Sequence, residues 1–273
     1  MPRPGLPKLI ATDLDGTLVR TDETVSAYTH GVLDRVRAAG IPVVGATGRG
    51  PRLAELTRND IRAADFLVMA NGGRVVDQTD PSGPVVLRDE RISGAMLAEL
   101  IAELEAAIGP LTVMVEALDA VDAPLWGDPD PSWRYPDRFE ARTRAECLRG
   151  DVIKAFARAA DHDVDVLLAR AREVMPPELA TVTQSGLGFI EICPPRVDKA
   201  TGLSVVAQAL GVDPSEVLVF GDMPNDLPMF EWAGWSRVAV ANAHPALRAV
   251  ADEVTLSNDD DGVAVYLDRL LSR

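Results

Sequence analysis

Two aspartates, Asp13 and Asp15, stand two residues apart at the end of the apolar run Leu-Ile-Ala-Thr, followed by Gly16 and Thr17. Like charges this close at the end of a buried strand repel, so each needs a counter-charge, a proton or a separate job. Two more acids, Asp222 and Asp226, lie in Gly-Asp-Met-Pro-Asn-Asp after the apolar run Val-Leu-Val-Phe. Three carboxylates in one crevice demand a cation. Hard oxygen ligands with no His or Cys beside them favour Mg2+ over zinc, and Mg2+ keeps positions for water and substrate phosphate. Thr47, in Ala-Thr-Gly-Arg, can donate a hydroxyl hydrogen bond to a phosphoryl oxygen, and Lys199 can set a point charge on it. That inventory suits phosphoryl transfer, where the protein mainly positions groups and stabilises charge.

These residues act together only if strand ends bring them together. Residues 9–13, 41–47, 65–73 and 216–222 are continuous apolar runs, and residues 26–40 and 198–211 carry apolar residues at helical spacing closed by Gly40 and Gly211. Val- and Ile-rich strands alternating with helices predict a doubly wound, Rossmann-like parallel sheet, whose ligands sit beyond the carboxyl ends of the strands. The alternation breaks at Thr-Asp-Pro-Ser-Gly-Pro, residues 79–84, and resumes after residue 193. An α/β core of residues 1–80 and 194–273, split by an inserted α+β domain of residues 81–193, is the expected organisation. Helices are expected at residues 93–108, from Pro245, and at 263–271.

The chain has 273 residues, 42 acidic against 27 basic, and a formal charge of −15. Such a balance argues against nucleic acid and anionic membranes as partners, and it makes any anion site a local arrangement of metal, Lys or helix N-termini. Cys147 and Cys193 are far apart and read as free thiols. No apolar run reaches bilayer length and the first ten residues do not read as a signal peptide, so a cytoplasmic protein, monomeric or a small homo-oligomer, is expected.

With these residues in view, Asp-Leu-Asp-Gly-Thr, then Thr-Gly-Arg at a strand end, then a Lys opening a helix, then Gly-Asp-Met-Pro-Asn-Asp resemble, in order, the four motifs of the haloacid dehalogenase superfamily. Asn71–Gly73 and residues 238–267 are similar to its Cof-like branch of Mg2+-dependent phosphatases, which carry a large α/β cap between the second and third motifs. The resemblance covers both core pieces, whereas the cap agrees in length and position. It implies that Asp13 is the nucleophile of an aspartyl-phosphate and Asp15 the general acid/base. It further implies that Asp13, the Asp15 backbone carbonyl and Asp222 hold Mg2+. Thr47, Gly48, Lys199 and Asn225 would bind the phosphoryl group, with Asp226 behind them. Val-Asp-Lys-Ala and Thr-Gly-Arg stand where Val-Ser-Lys-Gly and Ser-Gly-Arg are commoner, and neither change removes a functional group.

The implied activity is phosphomonoester hydrolysis on a small phosphorylated metabolite, a sugar phosphate first. A phosphosugar mutase on the same core, or a non-catalytic phospho-ligand sensor, are the alternatives. The halide-removing enzymes need neither Mg2+ nor a second aspartate, and Gly45–Gly50 lacks the glycine order of a dinucleotide site. Arg49 and Arg196 fit surface ion pairs as well as site roles. His30, His162 and His244 lack metal-ligand spacing, and Asn258–Gly262 reads as a loop and cap before the last helix rather than a Ca2+ loop. Trp133, Arg134 and Tyr135 fit either a substrate pocket or an apolar cap surface.

Overall fold

The computed structural model describes residues 5–128, 130–131, 133 and 139–272. Among these, β1 (Leu9–Thr12), β2 (Val43–Ala46), β3 (Phe66–Met69), β12 (Val217–Gly221), β13 (Ser236–Ala239) and β14 (Glu253–Val254) run parallel in the order β14-β13-β12-β1-β2-β3. β1, β2, β3 and β12 are buried along their whole length, as strands covered on both faces must be. Around them lie α1 (Ala27–Ala38), α2 (Ala54–Asp60), α6 (Lys199–Leu210), α7 (Leu227–Trp232), α8 (Pro245–Arg248) and α9 (Gly262–Leu271). α1 packs on α9, and α6 packs on α7 and β3. α6 starts where the Asp198 carboxylate accepts the Thr201 N–H, and stops at Gly211, which takes the left-handed conformation. Its Leu203 and Val206 are fully buried, each contributing about 1.5–3 kcal/mol.

Beyond β3 the sheet ceases to be parallel. β4 (Arg74–Asp77) and β5 (Val85–Asp89) continue it antiparallel. β5 thus belongs to the core sheet although it lies past residue 80, where the boundary was expected. The Pro/Gly-rich residues 79–84 turn a hairpin back onto the same sheet instead of leaving it.

The inserted segment forms a second sheet of β6 (Thr112–Glu116), β7 (Leu125–Gly127), β8 (Phe139–Ala141), β9 (Lys154–Arg158), β10 (Thr181–Gln184) and β11 (Ile190–Cys193), in the order β10-β11-β9-β6-β7-β8. α3 (Gly94–Ile108) and α5 (Val164–Val174) bury their apolar stripes against it, and the one-turn α4 (Arg144–Cys147) follows a Thr143–Glu146 capping box. Strand side chains alternate faces. Val113 and Val115, Ala155 and Ala157, and Ile190 and Ile192 join the helix-side core. Met114, Phe156 and Phe189 therefore fall on the opposite face, with Glu116, Lys154 and Glu191 in the same alternation, and that face meets the core domain.

Candidate active site

Three adjacent strands, β12, β1 and β2, deliver the first groups. Thr12 lies level with Phe220 on one side and Gly45 on the other, so Asp13, Asp222 and Thr47 all emerge just past the carboxyl edge of the sheet. Asp13 is 4% exposed, and its Oδ1 accepts from Lys199 Nζ at 2.5 Å. The same ammonium donates to Asp226 Oδ1 at 2.7 Å. Asp226 Oδ2 accepts the backbone N–H groups of Asp222 (2.9 Å) and Met223 (3.0 Å), so this carboxylate shapes the loop that presents Asp222. Thr17 donates its hydroxyl to Asp222 Oδ1 at 2.9 Å. Gly16, at φ +84°, lets the chain turn sharply past this group, where any Cβ would run into Asp222 Oδ2. Lys199 is fully buried, far from an ordinary surface lysine, and reaches the site because Gly202 and Gly72 let α6 and the turn after β3 touch backbone to backbone.

Carboxylate oxygens of Asp13, Asp222 and Asp226 all lie within 4.8 Å of one another. At that range a pair of like charges repels by about 3–4 kcal/mol at an effective dielectric near 20. Lys199 answers one of three negative charges. Burial pushes the Asp13 carboxyl up to about 6 despite Lys199, with Asp226 and Asp15 adding to the rise. Burial, then Asp13 and Asp226, hold Asp222 well above the usual carboxylate range. A deficit of two positive charges, an all-oxygen donor set, and a buried Asn225 Oδ1 that lacks a hydrogen-bond partner together fit a hydrated divalent cation.

Of the remaining expected residues, Asp15, Gly48 and Asn225 line the same cleft, and Thr47 is fully buried next to Gly48. Asp15 points its carboxylate, 42% exposed, at Arg49, which grips it with Nε at 2.8 Å and Nη2 at 2.6 Å, while Nη1 binds Asp60 at 2.6 Å. Thr47 Oγ1 accepts the Arg49 backbone N–H at 3.1 Å, so its own proton remains to be donated. Gly48 and Asn225 border the cleft, and Asn225 Nδ2 donates to Asn71 Oδ1 at 3.2 Å. Arg196 is exposed beside Glu178, His244 caps α8, and Asp259 and Asp261 bind Thr21 and Arg20. None of these enters the site.

The cleft has a roof that sequence reading did not assign. Lys154, Glu191 and Glu116 reach it from β9, β11 and β6, opposite Arg52 of the core. Lys154 Nζ bonds Glu191 Oε2 at 2.6 Å. Burial alone would raise the Glu191 carboxyl, but Lys154, Ser185 and Asn71 bring it below its ordinary value. Burial raises Glu116 against the pull of Lys154 and Arg52. Trp133 is buried edge-on against Phe156 (5.0 Å between centroids) and Phe189 (5.4 Å) and also faces the cleft, so it serves both as apolar cap surface and as pocket wall. Arg134 and Tyr135 lie outside the described residues. The signal in the sequence was a charged residue inside otherwise apolar strands, as in Val-Met-Val-Glu and Phe-Ile-Glu-Ile.

The chain matches the haloacid dehalogenase-like hydrolase family over residues 10–267. It is 29% identical to the 5-amino-6-(5-phospho-D-ribitylamino)uracil phosphatase YwtE of Bacillus subtilis, covering 97% of this chain and 98% of the relative. It is 31% identical to a phosphoglycolate phosphatase of Natronomonas pharaonis, covering 95% and 96%. Among solved structures, the fold is similar to that of the subclass IIB sugar phosphatase BT4131 (TM-score 0.79, 19% identity, 96% of this chain and 98% of that one). A haloacid dehalogenase-like hydrolase from Bacteroides thetaiotaomicron is also similar (TM-score 0.73, 27% identity, 97% and 99%).

Proposed function

Since this chain belongs to the haloacid dehalogenase-like hydrolase family, we propose that it hydrolyses phosphomonoesters of small metabolites with Mg2+, through an aspartyl-phosphate on Asp13. The observation that carries the reading is the buried, charge-deficient cluster of Asp13, Asp222 and Asp226 beside Lys199, with Asp13 and Asp222 open to a cleft that Asp15 and Gly48 also line. Mg2+, held by Asp13, Asp222 and the Asp15 backbone carbonyl, would neutralise Asp13 and the phosphoryl oxygens. Asp13 attacks phosphorus and the bond to the leaving oxygen breaks. Asp15, as general acid, gives that oxygen a proton. The Asp15 carboxylate then takes a proton from water, whose oxygen attacks phosphorus, freeing inorganic phosphate and Asp13.

Thr47, the Gly48 loop and Lys199 supply donors and charge for the phosphoryl oxygens, and Asn225 adds its free amide proton. Arg49 orients Asp15. The inserted sheet acts as the cap: Trp133, Phe156 and Leu187 offer the leaving group an apolar wall, while Arg52 and Glu116 offer polar ends. A wall of that mixture fits a sugar or polyol phosphate. YwtE's name gives it a ribityl phosphate bearing a heterocycle, which is the kind of ester to try first. A non-catalytic sensor would not need a nucleophile, an acid/base and metal-binding acids together, and the presence of Asp13, Asp15 and Asp222 at one cleft supports the catalytic reading. The test is phosphate release from a panel of phosphorylated metabolites, with Mg2+ and with EDTA. Mg2+-dependent release that Asp13→Asn abolishes is expected. Isomerised product without phosphate would make the protein a mutase, and turnover in EDTA would remove the metal from the mechanism.

A further inference from the structure

Lys154 is a cap residue whose ammonium lies in the roof of the cleft, bonded there to the protein itself. It is 2% exposed. Glu191 Oε2 takes one N–H at 2.6 Å and Gly48 O another at 2.5 Å, and the Phe156 ring lies 4.4 Å from the nitrogen. An ammonium has three protons; here a carboxylate and a carbonyl take two, and an aromatic face lies against the charge. Two of the three N–H groups are thus spent on protein acceptors. Its work is on the protein.

The carbonyl it holds matters because of what shares the peptide. Gly48 C=O and Arg49 N–H belong to one planar unit. Lys154 grips the oxygen end, and the N–H end donates to Thr47 Oγ1 at 3.1 Å. That bond occupies an acceptor lone pair of Thr47 and directs its hydroxyl proton elsewhere. The next side chain along, Arg49, holds the Asp15 carboxylate at two points. Glu191 meanwhile accepts from Asn71 Nδ2 at 2.8 Å, and the Asn71 backbone N–H donates to Thr47 O at 3.1 Å. Asn71 keeps a left-handed backbone, φ 53°, to do both. Lys154 and Glu191 therefore hold the Thr47–Arg49 loop from two sides.

The geometry points to Lys154 and Glu191 as a positioning pair, carried by the cap, that sets the Thr47 hydroxyl and, through Arg49, the Asp15 carboxyl for phosphoryl transfer. Cap docking completes the core site by orienting one peptide. The inference rests on the phosphatase reading, and its test has a readout that does not need turnover.

Lys154→Met/Glu191→Gln removes both charges together and leaves no uncompensated ion. With p-nitrophenyl phosphate and Mg2+ as probes, kcat is expected to fall about 100-fold with KM within about threefold, since a misplaced group costs rate rather than affinity. Hydrogen exchange, followed by mass spectrometry, should accelerate in residues 45–53 and stay unchanged in β12 and α6. Should that variant not fold, Lys154→Gln/Glu191→Gln, whose amides can bond each other, carries the same two readouts. A kcat within threefold of wild type, a loss confined to KM, or unchanged exchange in residues 45–53 would each overturn the inference. If the wild type itself releases no phosphate, the phosphatase reading fails, and the exchange measurement still decides whether the pair positions the loop.

Discussion

Two buried clusters of acids and bases face each other across the cleft, and they are built to opposite ends. In the core, Asp13, Asp222 and Asp226 share one ammonium, Lys199. In the roof, Glu116 and Glu191 stand with Lys154 and face Arg52 of the core, two charges of each sign. The consequence is visible in the acids. Burial wins at Asp13 and Asp222, which are held toward their protonated forms, and in the roof at Glu116, whereas Lys154 and its neighbours win at Glu191, which is held as a carboxylate. On the proposed function, the cluster short of positive charge is the one that takes up a cation and a phosphoryl group. In the balanced one, Lys154 and Glu191 are spent on each other and on the Gly48 carbonyl and Asn71 of the core, which suits holding geometry.

The largest effect should come from breaking the core cluster at its reacting group. Asp13→Asn keeps shape and fold but is expected to lower kcat by at least about 10⁴-fold, as loss of a nucleophile does. Steady-state phosphate release and an unchanged melting transition check this together.

Breaking the roof should instead appear in stability. Glu191→Gln leaves Lys154 buried against a neutral amide and is expected to cost about 3–5 kcal/mol, equally with and without Mg2+. Denaturant unfolding in both conditions measures it. A loss that Mg2+ repairs would mean that the two clusters are not independent.

Mg2+ sharpens the contrast from the other side. At a hundred times its dissociation constant it should stabilise the wild type by about 2.7 kcal/mol. Asp222→Asn should lose that gain, and Lys154→Met/Glu191→Gln should keep it. Thermal unfolding against Mg2+ concentration is the measurement.

The smallest effect is in pH. The Asp13 carboxyl sits at about 6 in the fold against 3.8 when free, so between those values the folded chain holds a proton that the unfolded chain releases. Its contribution to metal-free stability is therefore fully present below pH 3.8 and lost as pH rises through 6, by about 1–3 kcal/mol. Urea unfolding in EDTA at pH 4 and pH 6.5 checks the sign, and Mg2+ should reverse the trend by binding the ionised carboxylate.

The contrast also explains what could be read from the sequence. Asp13, Thr47 and Asp222 were legible because continuous apolar strands announce a parallel sheet, and in such a sheet only the strand ends can hold chemistry. Lys199 was legible as the first residue of a helix, though nothing local told that it would be wholly buried. That depends on Gly72 and Gly202 meeting across the fold. Glu116, Lys154 and Glu191 were not assigned, because a charged residue alternating with apolar ones in a strand ordinarily faces water. Only the docking of a second domain turns that wet face into the roof of a cleft. β5 was given to the insertion for a related reason, since a turn-rich break looks the same whether the chain leaves a sheet or doubles back onto it.

One measurement bears on the central claim most directly, that the charge-deficient core cluster performs covalent chemistry at Asp13. Asp15→Asn should slow hydrolysis of the phosphorylated protein more than its formation, because the water then lacks its base. Acid quench during turnover with Mg2+ and a phosphomonoester, followed by peptide mass spectrometry, should find one added phosphoryl group on Asp13. Turnover with the phosphoryl group on another residue, or Mg2+-dependent turnover of the wild type with none on the protein in either form, would contradict the account.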